Sequence, residues 1–205
     1  MTYSEAYTHI DNLLDKAGTA YFTDAEKNNF LDIAVMEYTK GLVNTLESDA
    51  QSMEKIAPLV ANLNNQTNTS GAVTLPDDFY HLLSANTATS KKLIDVMGIN
   101  QYNAAKHDPF HAPTSDNPIG ILKGLNLEVF GSTENVDFVY IKNPNLIDED
   151  GSTSGRVGGY NLNSSEEIVN IAVRKMMLSL EDPRYQLQIN ELSAEKRWWL
   201  SFFLR

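Results

Sequence analysis

Leu125-Asn-Leu-Glu-Val-Phe-Gly-Ser-Thr-Glu-Asn-Val-Asp-Phe-Val-Tyr-Ile-Lys-Asn-Pro144 holds two strand-length runs on either side of a polar turn that contains glycine. In the first run Leu125, Leu127 and Val129 alternate with Asn126, Glu128 and Phe130. In the second Val136, Phe138 and Tyr140 alternate with Asp137, Val139 and Ile141. Successive side chains of a strand point to opposite faces, so a period of two gives each run one apolar face. The pattern predicts an antiparallel hairpin closed by Gly131 to Asn135. On the second face Phe130, Val139 and Ile141 stand where a solvated strand carries polar residues. These three are therefore candidates for a contact with another sheet or a neighbouring subunit.

Upstream, Phe79 to Leu83, Leu93 to Met97 and Ile119 to Leu122 have the same length and β-branched or aromatic character, which extends the β region from Ala72 to Ile141. Helical patterns flank it on both sides. Tyr3, Tyr7, Ile10 and Leu14 recur at steps of three and four before Gly18. Thr23 with Glu26 three residues later makes a capping box that starts a second helix, whose predicted face is Phe30, Ile33, Ala34, Gly41 and Leu42, with Gly41 allowing a close helix approach. Met53, Ile56, Val60 and Leu63 continue at helical steps, with a bend expected at Pro58. Asn62 to Ser70, with its Asn, Gln, Thr and Ser, is too rich in backbone-competing side chains for a helix interior and reads as a loop. Asp148 to Gly159 reads as an exposed loop or arm, and Ser164 with Glu167 as a second capping box before Ile168, Ala172 and Met176. Past Pro183, Trp198 with Phe202 and Trp199 with Phe203 form two aromatic pairs at helical spacing.

Four segments in order carry a family resemblance: Thr23-Asp-Ala-Glu26, Leu75-Pro-Asp-Asp-Phe79, Tyr140-Ile-Lys-Asn-Pro144 and Ile168-Val-Asn-Ile-Ala172. The set resembles the head-to-tail adaptor, or neck ring, proteins of short-tailed phages. In that family an early helix precedes a Leu-Pro-Asp-Phe step into a β region, a Tyr-x-x-x-Pro step leaves it, and a late helix returns to the first. The chain departs from the pattern at Leu162-Asn163, where the family has leucine and proline. The resemblance implies a virion protein of the neck and no catalysis. Its subunits would form a ring of about twelve copies under the portal protein, extend the DNA channel and offer a platform to adjacent neck or tail rings.

Composition fits a passive conduit. Sixteen Lys and Arg against 27 Asp and Glu in 205 residues give a net charge of −11, the wrong sign for gripping phosphates by counterion release. An acidic bore would let DNA pass without holding it. No cysteine is present, so disulfides and thiolate chemistry are excluded. No basic and apolar leader opens the chain and no run of roughly 20 apolar residues spans a bilayer. The expectation is a soluble protein made in the cytosol and incorporated in the virion, with no membrane partner.

Tests for chemistry find little. His107 and His111 have a spacing that puts two imidazoles on one helical face, with Asp108 and Asp116 nearby. Pro109 and Pro113 oppose that helix, and no third ligand stands at diagnostic spacing. Aligning Gly151 to the turn glycine of a calcium loop places Leu146 and Val157 at ligand positions, where neither coordinates. Thr153 occupies the place of a nucleophilic serine in Gly151 to Gly155, and no nucleotide loop follows a strand. No catalytic, cofactor or metal residue is assigned.

The expected fold class is α+β: a bundle of N- and C-terminal helices with a small antiparallel sheet or sandwich inserted. The expected spans are residues 1–66 for the first helices, 71–160 for the β insert and 161–205 for the closing helices and terminal aromatics. Trp198, Trp199, Phe202 and Phe203, rimmed by Arg197 and Arg205, are the candidates for docking on a partner. Phe130, Val139 and Ile141 are those for the subunit interface. Alternatives to an adaptor are another ring of the same neck or tail, a virion-associated hydrolase, or a glycan-binding module.

Overall fold

A computed structural model of the chain describes residues 1–17, 22–46, 48–108, 110–146 and 155–179. The fold is α+β. It divides into two compact units, one of residues 1–55 with the chain from 144 onward, the other of residues 56–143.

In the helical unit α1 (Tyr3–Ala17) and α2 (Asp24–Thr45) both pack against α5 (Leu162–Ser179). Thr23 caps α2 as expected: its side chain accepts the Glu26 N–H while Glu26 accepts the Thr23 N–H at 2.8 Å. The buried seam of α2 is Leu31, Ala34, Val35, Tyr38 and Leu42, one step round from the predicted face. Ile33 is exposed and nothing lies within 4 Å of a Cβ built on Gly41, so that glycine serves no close approach. Apolar residues surround α2 almost evenly, which leaves its orientation to the facing helix rather than to its own pattern. The face of α5 matches expectation, with Ile168, Val169, Ala172, Val173, Met176 and Met177 all buried.

The start of α5 differs. Asn161 Oδ1 accepts the N–H of Ser164 at 3.0 Å, so Asn161 is the cap and Ser164 lies buried within the first turn. Glu167, expected to close a capping box, instead meets Lys55 at 2.8 Å. The described end of the glycine-rich segment is not an exposed arm: Val157 and Gly158 are buried. The Val157 N–H donates to the Met1 carbonyl at 3.1 Å, and the Tyr3 N–H to Gly155 at 3.3 Å. Gly158 has φ +60, and a Cβ there would stand 2.9 Å from both Val35 and Tyr160 side chains. Only glycine lets the chain pass that close to α2.

α3 (Ala50–Ile56) ends where the β-unit begins. From Val60 the chain forms strand β1 (Val60–Gln66) rather than further helix or an Asn-rich loop. Pro58 ends helical hydrogen bonding, and β7 (Val136–Lys142) takes β1 as its second partner, with Leu63 opposite Phe138. The other strands are β2 (Ala72–Thr74), β3 (Phe79–Thr87), β4 (Asp95–Val96), β5 (Ile119–Lys123) and β6 (Asn126–Phe130), with helix α4 (Ile99–Ala105) between β4 and β5. They form two sheets, ordered β1-β7-β3 and β2-β6-β5-β4, and the β4–β5 pair is parallel.

The predicted β6–β7 hairpin is therefore absent, because the two strands belong to different sheets. Their apolar faces meet across one core: Leu127 and Val129 of β6 pack with Val136, Phe138 and Tyr140 of β7, and Val73, Leu75, Ala85 and Ile94 complete it. Burying both faces against each other removes more apolar surface from water than a two-stranded ribbon can. Gly131, at φ +87, makes the crossing, and a Cβ on it would lie 2.5 Å from the Thr114 carbonyl oxygen. The hairpin of this region joins β5 to β6 through Gly124 and Leu125.

Candidate docking surface

Two of the strings that carry the family resemblance, Leu75 to Phe79 and the one that begins at Tyr140, meet in space. Leu75 is anchored by its N–H to the Leu125 carbonyl at 2.8 Å, and Pro76 turns the chain so that its carbonyl accepts the Phe79 N–H at 3.0 Å. That turn presents Asp78 to β7. The Tyr140 hydroxyl donates to Asp78 Oδ1 at 2.9 Å, the Asn143 N–H donates to the Asp78 carbonyl at 2.7 Å, and the Phe79 and Tyr140 rings stack with centroids 5.9 Å apart. Burial, then the Asp78 carboxylate, pushes the Tyr140 phenol up to about 12. The phenol stays a neutral donor across ordinary pH, and the turn between β2 and β3 is held to the last strand, β7, in one clasp.

β3 and the stretch that leads into β4, the end strands of the two sheets, are joined by the bridge between Asn86 and Leu93 and by the Ile94 N–H, which donates to the Ala85 carbonyl at 2.9 Å. A groove of about 340 Å³ opens there, lined by Leu82, Leu83, Leu93, Val96 and Leu122 among others. A second, of about 430 Å³, continues beside it along Val96, Met97, Ile99, Ile121 and Leu122. Gly120 makes this geometry possible, since a Cβ there would crowd Ile94, Leu127 and Val96 at 3.0 to 3.2 Å. Gly98 then opens α4, its N–H accepted by the Gln101 side chain at 3.0 Å. A third cleft, of about 530 Å³, is lined by Asp95, Gln101, Asp108 and His111 together with Val96, Met97 and Ile119.

The sequence candidates fall unevenly on this surface. Phe130 is half-buried, stacked on Tyr102 at 4.4 Å and packed in a small core with Ile119 and Ile121. Val139 is half-buried between Asn62 of β1 and Ser84 of β3. Ile141 is 0% exposed and has no surface to offer a neighbour. The three do not make one exposed patch, because each belongs to packing that the hairpin reading did not foresee. Arg197, Trp198, Trp199, Phe202, Phe203 and Arg205 lie outside the described residues. His111 Nδ1 pairs with Asp108 Oδ2 at 2.7 Å, and Asp116 pairs with Lys92 at 2.5 Å rather than with either histidine. Among the described residues no three His, Cys, Asp or Glu side chains converge as a metal site, and no helix is long and apolar enough to cross a membrane.

Sequence reasoning missed the strip of Leu93, Val96, Ile99 and Leu122. Its signal was an excess: Leu93 and Leu122 are apolar at positions that burial in the sandwich does not use. No protein-family profile matches this sequence, and no curated protein sequence matches it.

Proposed function

We propose that the chain is a structural subunit of the neck of a short-tailed phage, a ring that docks under the portal, extends the DNA channel and carries the tail. The observation behind the reading is the clasp. The two strings that resemble the adaptor family's steps into and out of its β region, far apart in sequence, are joined by the Asp78–Tyr140 hydrogen bond at the root of an inserted sandwich. The β-rich stretch lies in the chain between helices that precede and follow it, which supports the reading. The role is mechanical, the site of action is the virion neck, and the chain passes through the host cytoplasm during assembly. A net charge of −11 suits a bore through which DNA moves without being held.

Co-sedimentation with a portal ring from the same genome tests the proposal. The chain should move from the slow fractions into the portal fractions, in excess over any amount trapped by an unrelated ring. A chain that stays at the top of the gradient with portal in molar excess would argue against the role.

A further inference from the structure

A closed ring of identical chains needs two different patches on each copy, one meeting the other around the ring. The β-unit supplies the first. Leu93, Ile99 and Leu122 are 64%, 52% and 40% exposed, and with Leu82, Val96 and Met97 they line two grooves that share Val96 and Leu122. Single exposed apolar residues are ordinary, whereas a continuous strip with concave relief marks a contact.

We propose that this strip receives the aromatic C-terminal segment, Trp198, Trp199, Phe202 and Phe203, of a second copy of the chain, an inference that rests on the ring reading. Beyond the last described residue of α5 the sequence runs on to Arg205, and both tryptophans of the protein stand in that stretch. Trp198 with Phe202 and Trp199 with Phe203 make two pairs of large aromatic residues four apart in the sequence. The two grooves, of about 340 and 430 Å³, each have room for large anchoring side chains. Asp95 lines the neighbouring cleft rather than either groove, but it adjoins Val96, is exposed and makes no ion pair among the described residues, so it offers a carboxylate to Arg197, which directly precedes Trp198. Such a contact is heterologous, patch to different patch, as ring closure demands.

The absence of cysteine from the sequence makes cross-linking clean. Full-length Leu122→Cys and Phe202→Cys chains, mixed in equal amounts and mildly oxidised, should give a disulfide-linked heterodimer well in excess of either homodimer. In the doubly substituted chain the linkage should run between chains. Linkage only within one chain, or no heterodimer with or without portal present, overturns the proposal.

A second arm uses exposed positions that the fold can spare. Leu122→Glu should abolish self-assembly, read as native mass, while its thermal melting stays near that of the parent. Leu125→Glu, at a position still more exposed but outside the grooves, should leave assembly intact. Assembly unaffected by Leu122→Glu refutes the inference even if the portal is bound. A ring that needs Leu122 yet ignores the portal leaves the inference standing and removes the neck role.

Discussion

Asp78→Ala should destabilise the chain more than Tyr140→Phe, although both remove the same hydrogen bond. The hydroxyl of Tyr140 sits on a residue 4% exposed and donates to Asp78 Oδ1 at 2.9 Å, whereas Asp78 itself is exposed. A hydrogen bond to a charged group contributes about 1.5–3 kcal/mol, and a buried donor left without an acceptor forfeits a similar amount. Asp78→Ala strands the phenol, for a loss of about 2 kcal/mol. Tyr140→Phe keeps the stack on Phe79 and lets the carboxylate return to water, for a loss of about 1 kcal/mol. Once the hydroxyl is gone, removing Asp78 has little left to cost, so the double variant should lose only about 1 kcal/mol and be about 2 kcal/mol less destabilised than the sum of the singles. Urea unfolding followed by circular dichroism measures all four chains.

The same pair fixes a pH dependence. The folded phenol titrates at about 12 against an ordinary 10, so its contribution is complete below pH 10 and is lost as pH rises toward 12. The stability difference between parent and Tyr140→Phe should narrow over that window, while the other tyrosines titrate in both chains and cancel. Additivity of the two substitutions within about 0.3 kcal/mol, or a difference that stays constant from pH 9 to 12, would refute the clasp as drawn.

Two glycines with left-handed backbone should separate by space alone. Gly131→Ala, whose Cβ would meet the Thr114 backbone at 2.5 Å, should lose about 3 kcal/mol, and Gly124→Ala, with nothing within 4 Å, about 1 kcal/mol, in the same urea assay. Lys27 is 3% exposed and held by Asp11 at 2.8 Å and Asp24 at 3.3 Å. Burial opposes its charge, but the two carboxylates outweigh that and the ammonium titrates above its usual value. Asp11→Ala should therefore lower stability by about 1–2 kcal/mol, more than Lys27→Met, and equal losses would place the weight on packing.

Local signals in the sequence were legible where the local energy is decisive. The Thr23–Glu26 capping box, the Ile168 to Met176 face and the positions of β3, β5, β6 and β7 are all set by neighbours within a few residues. Pairing was not, since the alternation of β6 and β7 is the same whether they form a hairpin or face each other across a sandwich, and only the long-range core decides. β1 was hidden because Val60 and Leu63 stand three apart, a helical step, and because asparagines opposed a strand that β7 stabilises from the other side. Ser164 lost the capping role to Asn161 since both are good caps and the tertiary packing of α5 chose between them. The docking strip was obscure for a related reason: a leucine in a strand pattern looks the same whether it faces core or solvent until the register is known.

The native mass of the full chain, alone and mixed with a portal ring from its own genome, tests the central claim most directly. The account predicts a single species of one portal ring plus about twelve chains, the closed cyclic stoichiometry that the resemblance implies. A lone chain in both samples, at concentrations where neck assemblies persist, would contradict it.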